Sequence, residues 1–584
     1  MAEPVNPEGV AAPGGVATLS LGKDGALGLL RRHHAAIALL VYAAAALVFQ
    51  HHAVAHLGSS CACLGNDPTQ FMWSMVWWPH ALLNGLNPFV THLFWVPHSI
   101  DLAGNTTVPG PALLAWPLTA AAGPIVSYNV LMLIAPVTGA WFAYRLCLYI
   151  TRNPAASILG GYLYGFSTFG LGELEGHMQL VFTFAAPAAA LLTLKRLDDV
   201  ISARRYLALT AVVAIAQLSC GTEMAFTLAI MGVVALVAGW IFSGAETRRR
   251  IVALLPLLAG AFVVVAVLCS PFIYYALMGP QVAKDRGLVF PADALSFVIP
   301  TVLLRVGGHR FSAVSSAFAA GYVETGTYLG LPVIIMIAAF AVQRWRTRVA
   351  SILLTVLAFA VVWSLGTHLS IDGHPTIPLP WNVVAKLPGL NELLPSRIGV
   401  YVVLAGAVIV AVWLATPGAS RLRRWPWAIL AVAFVVPNTA LFNQQLDEPA
   451  FFTTPTLYRH FLRPGEVVLP IPYGTNGPNL LWQASTGMYF RLASGNFYVP
   501  VDYGLAPFVQ QAIGPGPTPA PSRQSPRALR SFILRYHVQA IIVKADQPGG
   551  WPAVIARLGL SPVNVGGVLL YQLPSRISNT IVRG

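Results

Sequence analysis

The chain has 584 residues and a mass of 62.4 kDa, with 56% hydrophobic residues, only 10% charged and a mean hydropathy of +0.66. A soluble globular chain is roughly a quarter charged, so this composition excludes an ordinary water-soluble fold and makes lipid the solvent for much of the surface. The net charge of +14, from 35 Lys and Arg against 21 Asp and Glu, would suggest nucleic acid for a soluble chain; in a membrane protein it follows from topology, and no nucleic-acid partner is expected.

Residues 1–30 begin with a stretch rich in Gly, Pro and Ala, show no cleavable signal pattern, and are expected to form a disordered cytoplasmic N-terminus ahead of an uncleaved anchor. A transmembrane domain is expected over 31–442, because crossing ~30 Å of hydrocarbon takes about 17 to 25 apolar helical residues. Candidate spans are Ala35–Gln50, Ile125–Ile150, Ala155–Gly170, Leu180–Leu194, Tyr206–Ser219, Met224–Phe242, Ile251–Leu277, Tyr328–Val342, Val349–Leu365, Ile398–Ala415 and Pro426–Phe442. Arg31 and Arg32, Arg152, Lys195 to Arg205, Arg248 to Arg250, Arg344 to Arg348 and Arg421 to Arg424 fall in every second loop. The positive-inside rule then puts the N-terminus in the cytoplasm and, with about eleven spans, residues 443–584 outside. Val108–Gly123 is apolar but short and Pro-broken, and reads as an interfacial or re-entrant helix on the outer side.

Four outer segments are expected, 51–123, 171–179, 278–327 and 366–397, and of the 14 histidines only His33 and His34 fall inside. The tail reads as an extracytoplasmic α/β domain large enough for its own core. Glu466–Tyr473 and Ala540–Ala545 are β-branched runs, GVLLYQLP is a last strand, Ser525–His537 has helical periodicity behind an N-cap Ser, and Gly514–Pro526 is a Pro/Gly-rich loop. Among the five cysteines, Cys147 and Cys269 read as core residues, while Cys61, Cys63 and Cys220 lie where an oxidising compartment permits a bridge. No fixed-period repeat is present.

Two short acidic segments carry the chemistry. Asp67 stands just past the first span, ahead of an aromatic stretch with Trp73, Trp77, Trp78 and His80 suited to the membrane interface. Taken alone, Asp67 reads as a helix N-cap with Pro68 at the first position. The loop GELEGHMQL places Glu173, Glu175, His177 and Gln179 between two apolar spans, and ionisable groups at a membrane boundary are functional by default. Brought near Asp67, they suit general acid/base work or a divalent cation, with Asp67, Glu175 and His177 as the ligand set.

The order of one span, an acidic first outer loop, a short acidic second loop, many spans and an outer C-terminal domain resembles the GT-C superfamily of integral-membrane glycosyltransferases. DPTQFMW, HALLNGLNPF, NTT at Asn105 to Thr107, YLYGFS, EGHMQL and LPGLNELLPSR at Leu387 to Arg397 are similar to a broad group of bacterial GT-C or YfhO-like membrane proteins, over roughly residues 30 to 440. The resemblance implies inverting transfer of a sugar from a polyprenyl-phosphate-linked donor to an extracytoplasmic acceptor such as a cell-envelope glycan, glycolipid or protein, in the bacterial cytoplasmic membrane. It implies Asp67 as the acid that deprotonates the acceptor, and Glu175 or Glu173 as the second-loop acid. Many GT-C families carry a pair of acids where this chain has Asn66 and Asp67, which makes for a weaker Mg or Mn site. The leaving phosphate calls for a planar cation: Arg397 leads, with Lys284, Arg286, Lys386 and His309 behind it. His80, Asn105, Gln179 and Glu324 complete the expected substrate contacts. The alternatives are a transporter or flippase of a lipid-linked or anionic substrate, and a non-catalytic envelope-assembly scaffold.

Overall fold

In a computed structural model, residues 23–65, 67–279, 290–387, 390, 393–418, 421–446, 448–473, 478–495, 525–546 and 548–574 are described. Helices fall on every expected span. Five of the described helices are by themselves long and apolar enough to cross a membrane: Trp116–Thr151, Met178–Leu197, Thr222–Phe242, Ala245–Leu268 and Pro395–Ala415. The remaining expected spans are shorter, more broken or more polar. Ala155–Gly170 is interrupted at Phe166 and Ser167, between helices Pro154–Gly165 and Thr168–Glu173. The expectation of about eleven full-length membrane helices is therefore met only in part.

Local signals set several helix starts. Asn153, Ser202 and Thr347 each accept the backbone N–H three residues on, from Ala156, Arg205 and Ala350, which satisfies a donor the helix itself leaves open. Helix packing relies on small residues: a Cβ at Gly161 or Gly165 would run into the backbone of Ala140 or Pro136, so glycine lets Pro154–Gly165 lie against Trp116–Thr151. The helix ending at Ala415 sits in the middle, with 83% of its most apolar stretch buried, whereas the corresponding stretches of Thr222–Phe242 and Ala245–Leu268 are only 17% buried. Their exposed Phe226, Val233, Trp240, Phe262 and Val267 form the apolar surface expected against lipid.

Two expectations are corrected, and the short Pro-broken helix expected at Val108–Gly123 is present. Residues 1–22 lie outside the described residues, but 23–30, expected to be disordered, belong to helix Lys23–Phe49. Val108–Gly123 is helical in two pieces, Pro109–Leu114 and the first turns of Trp116–Thr151, which kinks at Gly123 before Pro124. The aromatic helix Asp67–Leu83 does not turn its tryptophans to an interface. Trp73, Trp77 and Trp78 are at most 5% exposed, and their indole N–H groups reach Gln483 Oε1 at 2.7 Å, the Pro88 carbonyl at 2.9 Å and the Thr107 carbonyl at 3.0 Å. A buried tryptophan with its N–H paired is a core anchor.

The tail contains the three expected strands, as β1 (Val467–Ile471), β3 (Ala540–Lys544) and β5 (Val568–Gln572), and two more not expected from the sequence, β2 (Arg491–Leu492) and β4 (Val563–Val565), in the spatial order β4-β5-β3-β1-β2. β1 runs parallel to β2 and β3, while β5 runs antiparallel to β3 and β4. β1 and β3 are buried along their whole length, which is why they read as continuous apolar runs rather than alternating ones. The expected helix is present as Ser525–Arg535, and most of the Gly514–Pro526 loop lies outside the described residues. The sheet does not keep its own core. Its buried side chains are continuous with Trp73, Trp77, Phe94 and Trp95 of the first loop, Leu492 N–H donates to the Leu93 carbonyl at 2.7 Å, and Trp95 N–H to the Ser494 carbonyl at 3.0 Å. The boundary at 443 is thus a boundary in sequence and not in packing.

Cys61 is paired with Cys63, and Cys220 is a buried free thiol.

Candidate functional site

The two acidic loops meet. Leu64 N–H, three residues before Asp67, donates to the Glu175 carbonyl at 2.6 Å, and Gly176 packs against Pro68 and the Asp67 Cβ. On the second loop, Ser167 caps helix Thr168–Glu173 by accepting from Gly170 N–H at 3.4 Å, so that Glu173 ends that helix. The backbone of Gly172 lies against the Val323 carbonyl, where any Cβ would overlap. That contact brings Glu324 beside Glu173 and His177.

His177 is the hub. Its Nδ1 bonds Glu173 Oε2 at 2.7 Å and lies 3.8 Å from Glu324 Oε1, while Nε2 lies 3.6 Å from Asp67 Oδ2. Burial by itself lowers the imidazole's pKa, but the Asp67 and Glu173 carboxylates outweigh it and hold the ring protonated up to about 10. Glu173 is fully buried, and burial together with the Glu324 charge raises its carboxyl to about 7 against the pull of His177. Burial also pushes Glu324 up, but Arg397 overrides it, and the carboxyl ends below its ordinary value. Asp67 is the open member, with 62% of its side chain exposed.

Arg397 is not a free phosphate clamp. It donates to both Glu324 oxygens and to Glu223, and Glu223 Oε1 also accepts Leu394 N–H at 3.0 Å. Glu223, at the start of helix Thr222–Phe242, was not expected to take part. A lone carboxylate at the end of a span was its signal, in a turn too short to stand out as an outer loop. Tyr322 approaches the Glu175 carboxyl, and nothing in its local sequence marks it as that neighbour.

Glu175 behaves differently from Glu173. It is 3% exposed, and burial raises its carboxyl to about 7 despite Tyr322 and His177 nearby. Neither of its oxygens finds a partner of good hydrogen-bond geometry among the described residues. Gln179 Oε1 is likewise buried and unanswered.

Asp67, Glu175, His177, Gln179, Glu223, Glu324 and Arg397 line one cavity of about 2170 Å³. The same wall includes Ser243, Asp198 and Arg250. Glu223 and Ser243 bracket a 21-residue helix, so the cavity runs about 30 Å, the thickness of a bilayer's hydrocarbon core. Between these ends the lining is apolar, including Leu228, Leu236, Leu258, Phe262 and Val265.

Other expected residues fall elsewhere. His80 is 13 residues along the helix from Asp67, about 20 Å at the helical rise, and packs on Trp77. Asn105 fixes its own loop by donating to the Asp101 carbonyl at 2.7 Å, and its neighbours Gly104 and Thr106, not Asn105, line the cavity. Lys284 and Arg286 lie outside the described residues, and Lys386 and His309 do not line the cavity. Among the described residues, those whose possible ligand atoms gather within 4.8 Å are Glu173, His177 and Glu324, in place of the expected metal set of Asp67, Glu175 and His177. An imidazolium bonded to Glu173 and a guanidinium bonded to Glu324 already satisfy that group, so as it stands it does not fit a divalent cation.

No protein-family model and no curated protein matches the sequence. Among solved structures, arabinofuranosyltransferase AftD from Mycobacteria aligns with 93% of this chain and 40% of its own, at 14% identity and a TM-score of 0.57. The Archaeoglobus fulgidus oligosaccharyltransferase tethered with an acceptor peptide aligns with 94% of this chain and 75% of its own, at 11% identity and a TM-score of 0.50. The same enzyme in complex with Zn and sulfate aligns with 92% and 73%, at 12% identity and a TM-score of 0.51. The chain therefore spans well under half of the mycobacterial protein's length. These likenesses extend over nearly all of the present chain, and the protein is a membrane protein with the GT-C fold.

Proposed function

We propose that the protein is a membrane glycosyltransferase that moves a sugar from a polyprenyl-phosphate donor to an acceptor outside the bacterial cytoplasmic membrane, with inversion. The observation that carries this reading is the single cavity in which Asp67, Glu175 and His177 meet at one end and an apolar groove of bilayer length continues from them. A polyprenyl tail is an apolar chain that needs such a groove. A transferase needs a carboxylate open to an incoming hydroxyl, and Asp67 is that carboxylate. In the step proposed, the acceptor oxygen attacks the anomeric carbon, the bond from that carbon to the phosphate oxygen breaks, and polyprenyl phosphate leaves with the electron pair. Asp67 takes the acceptor's proton. His177, bonded to Glu173 and facing Asp67, orients the base, and no step runs through a metal.

A second reading has one observation behind it. The cavity's far end is polar again, at Asp198, Glu246 and Arg250, as a carrier of lipid-linked substrate would need. Purified protein with a panel of polyprenyl-phosphate sugars separates the two. Transfer or donor hydrolysis, lost in Asp67→Asn, supports the transferase; donor movement between leaflets of a vesicle without turnover supports the carrier. Wild-type turnover by Asp67→Asn removes the role given to Asp67.

A further inference from the structure

The cavity wall holds acceptor groups that the protein leaves unanswered. Both Glu175 oxygens and Gln179 Oε1 are buried and accept no hydrogen bond of ordinary geometry among the described residues. The Tyr322 hydroxyl approaches Glu175 closely enough to pull its carboxyl down, but one hydroxyl cannot answer both oxygens, and both side chains line the cavity beside Asp67 and His177. Neither backbone is free to turn away. Glu175 N–H donates to the Gly172 carbonyl at 3.1 Å and its carbonyl accepts from Leu64, while the Gln179 carbonyl packs so closely on Gly221 that a Cβ there would not fit. Leaving a buried acceptor without a donor is costly, and buried polar groups in folded proteins are almost always satisfied by something. The unmet atoms are all oxygens, and hydroxyl groups can answer them, since a hydroxyl donates to a carboxylate or amide oxygen and also accepts from a protonated carboxyl. An apolar ligand would leave all three atoms unpaired. A phosphate or carboxylate at this pair would face the Glu175 and Asp67 carboxylates.

We infer that Glu175 and Gln179 form a subsite for the hydroxyl groups of a neutral sugar ring, and that this pair decides which sugar the cavity admits. The inference rests on the transferase reading above and adds a substrate class to it. A site built to take hydroxyl donors rejects an analogue lacking one, because its own acceptors are then stranded.

The test uses the full-length protein in lipid nanodiscs, with methyl glycosides of neutral pentoses and hexoses, their monodeoxy analogues and a matching uronate as probes, and affinity read by saturation-transfer NMR. A neutral glycoside is expected to bind, and Glu175→Gln and Gln179→Leu are each expected to weaken it about tenfold. The deoxy analogue missing the engaged hydroxyl is expected to bind wild type as weakly as the parent binds the variant, and the variant no more weakly still. Unchanged affinity in both variants, a uronate bound as tightly as the neutral sugar, or no glycoside bound at all would overturn the subsite. Using two variants keeps the test intact should one fail to fold. Transfer from polyprenyl-phosphate sugars is measured on the same preparations. Binding without transfer leaves the subsite standing and removes the transferase, whereas transfer with KM unchanged in both variants removes the subsite alone.

Discussion

Arg397 grips Glu324 with two nitrogens, Nε on Oε2 at 3.2 Å and Nη2 on Oε1 at 2.8 Å, and spends its remaining reach on Glu223. The arginine is 14% exposed, Glu324 9% and Glu223 19%, so these charges are largely out of water. Their function in the fold is mutual neutralisation, and a phosphate would have to compete with two carboxylates for the guanidinium.

Arg397→Ala should therefore act on stability before it acts on chemistry. Removing one partner of a buried charge group strands the others, which costs about 3–5 kcal/mol. Arg397→Lys should recover only part of that, because an ammonium cannot span both Glu324 oxygens and Glu223. Thermal unfolding of the purified variants checks this; a stability equal to wild type for Arg397→Ala would refute the neutralising role.

Gly172→Ala adds a methyl group where the Val323 carbonyl already lies. The second loop must then move away from 321–324, which separates Glu173 and His177 from Glu324. A cost of about 1–3 kcal/mol is expected, with loss of transfer larger than the loss of stability explains. Gly176→Ala is the control, since its Cβ would meet only ordinary contacts.

Glu175→Gln should stabilise the protein in a pH-dependent way. The folded carboxyl keeps its proton up to about 7, against an ordinary value of 4.5, so it favours folding fully below pH 4.5 and that contribution is lost as pH rises through 7. Glutamine does not titrate. Its advantage over glutamate should be absent below pH 4.5, grow between 4.5 and 7, and level off above. The plateau should lie near ~3 kcal/mol, because displacing a carboxyl's titration by one pH unit is worth ~1.4 kcal/mol. A pH series of unfolding temperatures for both proteins measures it. A gain in stability paired with weaker sugar binding is the trade expected of a functional group.

The tail should not fold alone. Expressed as 443–584, the sheet would expose the face that packs on Trp73, Phe94 and Trp95, and Gln483 would lose Trp73 Nε1 and the Leu93 carbonyl. Circular dichroism and proteolysis of that fragment are expected to report an unfolded or aggregating chain. In the full protein, Trp73→Phe should cost about 1–3 kcal/mol by stranding Gln483 Oε1.

What the sequence determined by itself was whatever depends on local composition and period. Scarce charge marked the membrane, apolar runs marked the helices, and buried strands showed as the unbroken runs of β1 and β3. The acidic loops were legible because a carboxylate at the end of a span is rare. The tertiary structure alone decided which charges neutralise one another. Glu173 and Glu175 are two residues apart and equivalent by any local rule, yet one bonds His177 and the other stands in the cavity wall with Tyr322 as its neighbour. Arg397 looked free because Glu223 and Glu324 lie 174 and 73 residues away from it. Pairing of buried charges depends on distance in space, and the fold sets that distance where helix Thr168–Glu173 packs on Gly321–Glu324 and Arg397 bridges Glu324 to Glu223.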